Sequence, residues 1–355
     1  MTEVQEASSP RQMFSIAALV LAIVFAGLMA YIVFAMGNES EELVPEVKAG
    51  VIARVVIEGP GTGDKPYFSR PLGAAIDDQG RIYVADTGND RVCVFDSEGN
   101  FLFEFGGRGV AKPAPGIMAT WEPGRMNSPA GIDVDENGDI YVADFRNDQI
   151  QVFDSEGNFL RRFPDPLEKV GRGASGYGGT GIAVIGIDVV DGHVYATDSY
   201  QVVVFTTEGE FVRQFGRPGT APGEMDRPNG LAVAADGTIY LADSNNNRVS
   251  ALAHDGTSRW VAGTPVFDLD EQIDNEFGLP RDTAISADNT ILVIDAFRFE
   301  IVELDRSGNV LNRFGERGTE PGGFNFPNAI DVHEDRVLVT DKGNNRVQLV
   351  EIVGP

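Results

Sequence analysis

The sequence predicts an all-β protein, a six-bladed β-propeller with one transmembrane helix ahead of it. Three observations predict it. A short phrase, made of an alternating strand, a Gly or Asp turn and a second strand that ends in Asp, recurs six times between residues 71 and 341. Most copies run on into two further short strands parted by Gly, Asn and Asp turns, which is the grammar of antiparallel hairpins. One uncharged apolar run, residues 13–36, precedes all of them.

Residues 1–12 read as a short cytoplasmic tail. Met13 to Met36 is 24 residues without a charge, roughly 36 Å of helix against a hydrocarbon core of about 30 Å. A signal-peptide core is normally about 7–15 residues, so this run reads as an uncleaved signal-anchor. Arg11 and the α-amino group flank its near end, and the positive-inside rule then puts the tail in the cytoplasm and the rest of the chain outside. Residues 37–48 are acidic, contain Gly and Pro, and read as a linker. The expectation is a single-pass membrane protein with an extracytoplasmic propeller.

The propeller is expected over 49–355. Its copies are PLGAAIDDQGRIYVAD (71–86), PAGIDVDENGDIYVAD (129–144), VIGIDVVDGHVYATD (184–198), PNGLAVAADGTIYLAD (228–243), PRDTAISADNTILVID (280–295) and PNAIDVHEDRVLVTD (327–341). The closing aspartates lie 45 to 58 residues apart, the spacing of propeller blades with loop insertions. The sixth copy reaches the end of the chain after its third strand, RVQLVEIV. A matching fourth strand stands at the front, where VIARVVIEGPGTG (51–63) resembles FLFEFGGRG (101–109). Strand 51–58 is therefore expected to complete the last blade, and radial closure of this kind leaves few free sheet edges.

The formal charge of −26 argues against a nucleic-acid partner, because phosphate binding needs clustered Lys and Arg. The single cysteine, Cys93, lies in an apolar strand and reads as a buried thiol. Gly171-Arg172-Gly173-Ala174-Ser175-Gly176 matches GxGxxG, but no strand precedes it and no helix follows, so it reads as a loop and no nucleotide is expected. Asp133 to Gly138 matches the start of a calcium loop. It reads instead as the first strand and turn of the second repeat, because no helical pattern flanks it. The recurring sets Asp86/Asn89/Arg91, Asp243/Asn246/Arg248 and Asp341/Asn344/Arg346 read as turn scaffold, since a catalytic group is expected once and not in several blades.

The repeats resemble the NHL-repeat family. FGRPGTAPGEMDRPNGLAVAADGTIYLADSNNNRV (215–249) and FGERGTEPGGFNFPNAIDVHEDRVLVTDKGNNRV (314–347) carry the resemblance, which covers about residues 50–355. It implies a six-bladed propeller. For function it implies a protein-binding platform, an RNA-binding module or an enzyme. NHL-like amidating lyases use a central zinc held by histidines, whereas His193, His254 and His333 fall here in turns of separate blades. Six-bladed calcium lactonases use Asn and acidic residues around a central mouth.

Two constellations depart from repetition. The first is the channel mouth, where the equivalent positions are Leu72, Ala130, Ile185, Asn229, Arg281 and Asn328. Asn229, Arg281 and Asn328 are polar there, and Asp282 replaces the usual Gly. These four are the candidate ligand-binding residues. The second is a position in the first strand, held by Ala75, Asp133, Asp188, Ala232, Ala284 and Asp331. Three acids near one axis repel unless solvated or bound to a cation, so Asp133, Asp188 and Asp331 are candidate ligands for a divalent cation such as Ca2+ in the channel. The longest insertions, 110–125, 164–180 and 264–276, all join a fourth strand to the next first strand and share one face. The leading expectation is a membrane-anchored interaction module that binds a protein or an extracellular ligand on that face. The alternative is a metal-dependent hydrolase or lyase, lactonase-like or amidating-lyase-like, acting at the mouth.

Overall fold

The computed structural model describes residues 50–110, 122–164, 184–265 and 275–353. The apolar run 13–36, the linker 37–48 and the GxGxxG segment lie outside them, as does most of each insertion. No helix of the described residues is long and apolar enough to cross a membrane.

The first strand, β1 (Gly50–Ile57), belongs to the last blade. Blade one follows as β2 (Ala74–Ile76), β3 (Ile82–Asp86), β4 (Arg91–Phe95) and β5 (Phe101–Gly106). Blade two is β6 (Pro129–Val134), β7 (Ile140–Asp144), β8 (Gln149–Phe153) and β9 (Phe159–Phe163). Blade three is β10 (Ile187–Val190), β11 (His193–Asp198), β12 (Gln201–Thr206) and β13 (Phe211–Phe215). Blade four is β14 (Leu231–Val233), β15 (Ile239–Asp243), β16 (Arg248–Leu252) and β17 (Ser258–Gly263). Blade five is β18 (Pro280–Ile285), β19 (Ile291–Asp295), β20 (Glu300–Leu304) and β21 (Val310–Phe314). Blade six has β22 (Ala329–His333), β23 (Arg336–Asp341) and β24 (Arg346–Val353), and β1 pairs antiparallel with β24 as its fourth strand. The ring closes as the sequence predicts.

Alternation holds less widely than expected. It survives in fourth strands such as β5, where half-buried and exposed positions take turns over its first four residues. Second and third strands such as β3 and β4 are buried at every residue. The reason is geometric: blades pack face to face, so a middle strand has protein on both sides and reads as a continuous apolar run. Each core cluster accordingly draws on two neighbouring blades. Tyr83, Val92 and Val94 of blade one pack with Ile132, Ile140 and Val142 of blade two. Ile57, Leu338, Val347 and Leu349 of the closing blade pack with Ile76, Ile82 and Val84 of blade one. Cys93 is fully buried in that cluster, and burial pushes its thiol pKa up.

The Asp–Asn–Arg sets are scaffold. Asp86 accepts the Ser69 N–H at 2.7 Å, Asn89 Nδ2 at 2.7 Å and Arg91 Nε at 2.8 Å. One carboxylate thus ties the incoming loop, the turn and the third strand together. Asp243 and Asp341 do the same with Asn246/Arg248 and Asn344/Arg346. The turns after second strands also bond to the loops before first strands, as in Gly88 N–H to Ser69 O and Asn245 N–H to Asp226 O. Both kinds of connection therefore sit on one face, here the top face. The calcium-loop lookalike is the end of β6, a turn and β7.

Candidate functional site

First strands line the axis, and near the mouth they come too close for side chains. A Cβ on Gly186 would lie 2.3 Å from Asn229 O and one on Gly131 would lie 2.5 Å from Ile185 O. Glycine is required at both. Where blade five has Asp282 instead, Gly230 of blade four makes the room: a Cβ there would meet the Asp282 carboxylate at 1.6 Å.

All four candidate ligand residues come together at this mouth, with Leu72, Ala130 and Ile185 on its apolar side. Arg281 Nε and Nη2 donate to Asn328 Oδ1 at 3.2 and 3.1 Å, and Asn328 Nδ2 donates to Leu72 O at 2.9 Å. Asn229 Nδ2 donates to Ser244 Oγ at 3.1 Å, while its buried Oδ1 accepts no hydrogen bond. Burial lowers the Arg281 pKa to about 10, and Asp282 opposes that shift. The mouth encloses about 50 Å3, room for a few waters at about 10–15 Å3 each.

Below the mouth, Asp133, Asp188, Asp282 and Asp331 line a channel of about 180 Å3. The shared register is confirmed by pairing: Asp133 faces Tyr141, Asp188 faces Tyr195 and Asp331 faces Leu338, each partner three residues before the closing Asp of its blade. Each carboxylate reaches the backbone of the next blade. The Val189 N–H donates to Asp133 Oδ2 at 2.6 Å, Val233 N–H to Asp188 Oδ2 at 2.6 Å, Ile330 N–H to Asp282 Oδ2 at 3.1 Å and Ile76 N–H to Asp331 Oδ2 at 2.8 Å. The acids are thus clasps between blades two and three, three and four, five and six, and six and one. Ala75 and Ala232 leave the other two seams without a clasp. At the seam of blades four and five, Thr283 Oγ1 donates to Tyr240 O at 2.9 Å instead.

These carboxylates are half-buried, because they keep some surface toward a water-wide channel. Backbone on every other side excludes solvent, and that desolvation pushes all four pKa values up. Asp331 rises to about 6. Asp188 rises to about 7, with the Asp331 charge adding to burial and a hydrogen bond with Asp133 opposing it. Asp133 rises well above the usual carboxylate range, by burial and then by the charges of Asp188 and Asp331. Among the described residues, no three His, Cys, Asp or Glu side chains are grouped as a metal ion would need. Each carboxylate already accepts a backbone N–H of the next blade, which competes with a hard cation for its lone pairs.

Neither axial cavity is lined by a histidine. His193 Nδ1 lies 2.8 Å from Asp191 O in a strand turn, and His333 lies 4.0 Å from Asp78. The described residues do not fit the histidine-held zinc that an amidating lyase implies.

One feature of the top face was not read from sequence. Arg70, Arg281 and Lys342 line a cleft beside the mouth together with Phe297 and Phe326. These residues come from three different blades, and only Arg70 and Phe326 share a place in the repeat, just before its Pro, so comparison of the copies does not bring them together. The one signal was blade five's Phe297-Arg298-Phe299, which breaks the Asp–Asn–Arg turn.

Comparison with known proteins agrees with this architecture. The NHL repeat model matches residues 68–95, 126–153 and 225–252. Protein brain tumor of Drosophila melanogaster is 30% identical over 155 residues, 42% of this chain and 12% of that protein. Peptidyl-glycine alpha-amidating monooxygenase A of Xenopus laevis is 30% identical over 199 residues, 54% of this chain and 20% of that protein. The chain spans a fifth or less of either relative. A solved streptogramin B lyase superimposes with a TM-score of 0.54 at 13% identity, over 86% of this chain and 99% of its own, a likeness of fold.

Proposed function

We propose that this chain, which is a six-bladed β-propeller of the NHL-repeat family, is a membrane-anchored interaction module that holds a protein partner on its top face. The observation that carries the reading is the commitment of the axis. The channel carboxylates are bonded to the backbone of neighbouring blades, so the residues that repetition singles out hold the ring together. Arg70, Arg281 and Lys342, which among the described residues form no ion pair, gather instead on the top face with the exposed rings of Phe297 and Phe326. The apolar run 13–36 supplies the tether, and its flanking charge favours a propeller outside the cytoplasm.

A hydrolase or lyase at the mouth has less behind it. Such chemistry needs a free acid–base group or an open cation site. Arg281 and Asn328 are bonded to each other, and Asp282 accepts two backbone N–H groups. The volume there admits waters rather than a substrate.

Photo-crosslinking in native membranes tests the proposal. A photoreactive residue is placed at Arg146 or Asn245, both exposed on the top face, or at Gln79 or Asn137, exposed on the opposite face. The protein is expected to sediment with membranes and to form a discrete protein adduct from the top positions alone. Adducts from the opposite face alone, or none from any position, would overturn the reading.

A further inference from the structure

The cleft on the top face lies at the seam of blades five and six and encloses about 330 Å3. Its apolar wall is built by Phe297 and Phe326, which meet edge to face at 6.1 Å. Phe299 packs on Phe326 from behind at 5.4 Å. Phe297 is 50% and Phe326 43% exposed, and they stand side by side as a patch rather than singly. Phe299 and Phe326 both take positive φ, +59° and +48°, as do the equivalent residues of other blades, such as Asn345 and Arg70, so the backbone of the repeat sets where these rings stand.

The rim is cationic in a chain of net charge −26. Arg70, Arg281 and Lys342 converge there, and among the described residues none of the three pairs with a carboxylate. Arg281 meets only the neutral amide of Asn328 through hydrogen bonds. The neighbouring Asp282 is held by the Thr283 and Ile330 N–H groups. Lys342 is half-buried, and burial, then Arg281 and Arg70, lowers its pKa. With more acids than bases to choose from, the fold crowds three like charges beside two half-exposed rings, and Asp282 is the carboxylate that acts on Arg281.

We infer that this cleft takes the carboxyl terminus of a partner polypeptide that ends in an apolar residue. The terminal carboxylate would sit among Arg70, Arg281 and Lys342, and the last side chain against Phe297 and Phe326. The volume suits one residue and its carboxylate, near the small end of ligand sites at about 300–1,000 Å3. Capture of a chain terminus is a known mode of peptide recognition. A phosphate-rich ligand fits less well, since the charge beyond the rim is strongly negative and the wall is apolar. The inference rests on the interaction reading above and specifies its partner.

The test is fluorescence anisotropy with the full chain in nanodiscs and labelled hexapeptides that end in Gly-Gly-Phe. The free-acid peptide is expected to bind at least ten-fold tighter than its C-terminally amidated twin. Lys342→Gln, a conservative change on an accessible turn, and Phe326→Ala should each weaken the free acid ten-fold or more, and Lys342→Gln should erase the preference over the amide. Equal binding of acid and amide, or no effect of either variant, would overturn the inference. So would binding seen only after deletion of residues 266–274, because the occupant would then be this chain's own acidic segment. The crosslinking experiment separates the two levels. If Asn245 still captures its partner while the peptides fail, the terminal-carboxylate inference falls and the interaction reading stands.

Discussion

A chain that begins at residue 58 is expected not to fold, whereas one that begins at residue 49 melts cooperatively. The eight residues of β1 are a small part of the domain, but they close it. They pair with β24 at seven positions, from Gly50 with Val353 to Ile57 with Val347. Ladder hydrogen bonds contribute about 0.5–1.5 kcal/mol each, and burial of Ile57 about 1.5–3 kcal/mol. The sum is comparable with the whole stability of an ordinary domain, about 5–15 kcal/mol. Loss of β1 also bares RVQLVEIV, a long apolar edge that invites association. Circular dichroism melts and sizing of the two chains decide the matter. A shortened chain that kept the full melting temperature would show that blade six stands on three strands.

Asp188→Asn and Asp188→Ala are expected to part company, and to do so as a function of pH. The folded-state pKa of Asp188 is raised to about 7 by burial, against about 3.9 for an unfolded Asp. The native state therefore binds more protons between those values, and its stability falls as pH rises from about 4 to 7. Asp331, raised to about 6, adds to the same slope. Asparagine mimics the protonated acid: its Oδ1 still accepts the Val233 N–H, and its Nδ2 donates toward Asp133. Asp188→Asn should flatten the slope and stabilise the protein at pH 8 by about 1–3 kcal/mol, a figure reduced from the full shift because the group keeps some solvent contact. Asp188→Ala leaves the Val233 N–H without an acceptor, which costs about 1–3 kcal/mol at every pH. Urea midpoints of the three proteins at pH 4.5 and 8 measure both effects. Asp188→Asn that destabilised at pH 8 would mean that something else balances the carboxylate charge there, a bound cation first among candidates.

What was legible in the sequence is what repetition carries. Contacts within a blade span a few residues and recur, so Asp86, Asn89 and Arg91 could be read as scaffold from their copies alone. The closure was legible because a strand was missing at one end and present at the other. The mouth residues Asn229, Arg281, Asp282 and Asn328 were legible because they share a position or border it. Bonds between blades were not. The Asp331 clasp on Ile76 joins residues 255 apart, and nothing in either repeat marks the pairing. The charges of Asp133, Asp188 and Asp331 point toward a cation in the sequence, which does not reveal that each also accepts a backbone N–H of the next blade. Asp282 was harder still. It sits out of the acid register, two residues ahead of Ala284, yet performs the same clasp from blade five to blade six. The top-face cleft escaped for a related reason: Arg70, Arg281, Phe297 and Lys342 become neighbours through ring closure and blade contact, which the repeat does not mark.

The central claim is that the axis is scaffold and the top face binds. It is tested most directly by neutralising the axis while keeping its hydrogen bonds, in the triple variant Asp133→Asn, Asp188→Asn, Asp331→Asn with a photoreactive residue at Asn245. The variant is expected to fold with a melting temperature at least that of the parent at neutral pH and to capture the same adduct in native membranes at undiminished yield. A variant that folds as well as the parent but loses the adduct would contradict the account and move the binding or chemistry into the channel.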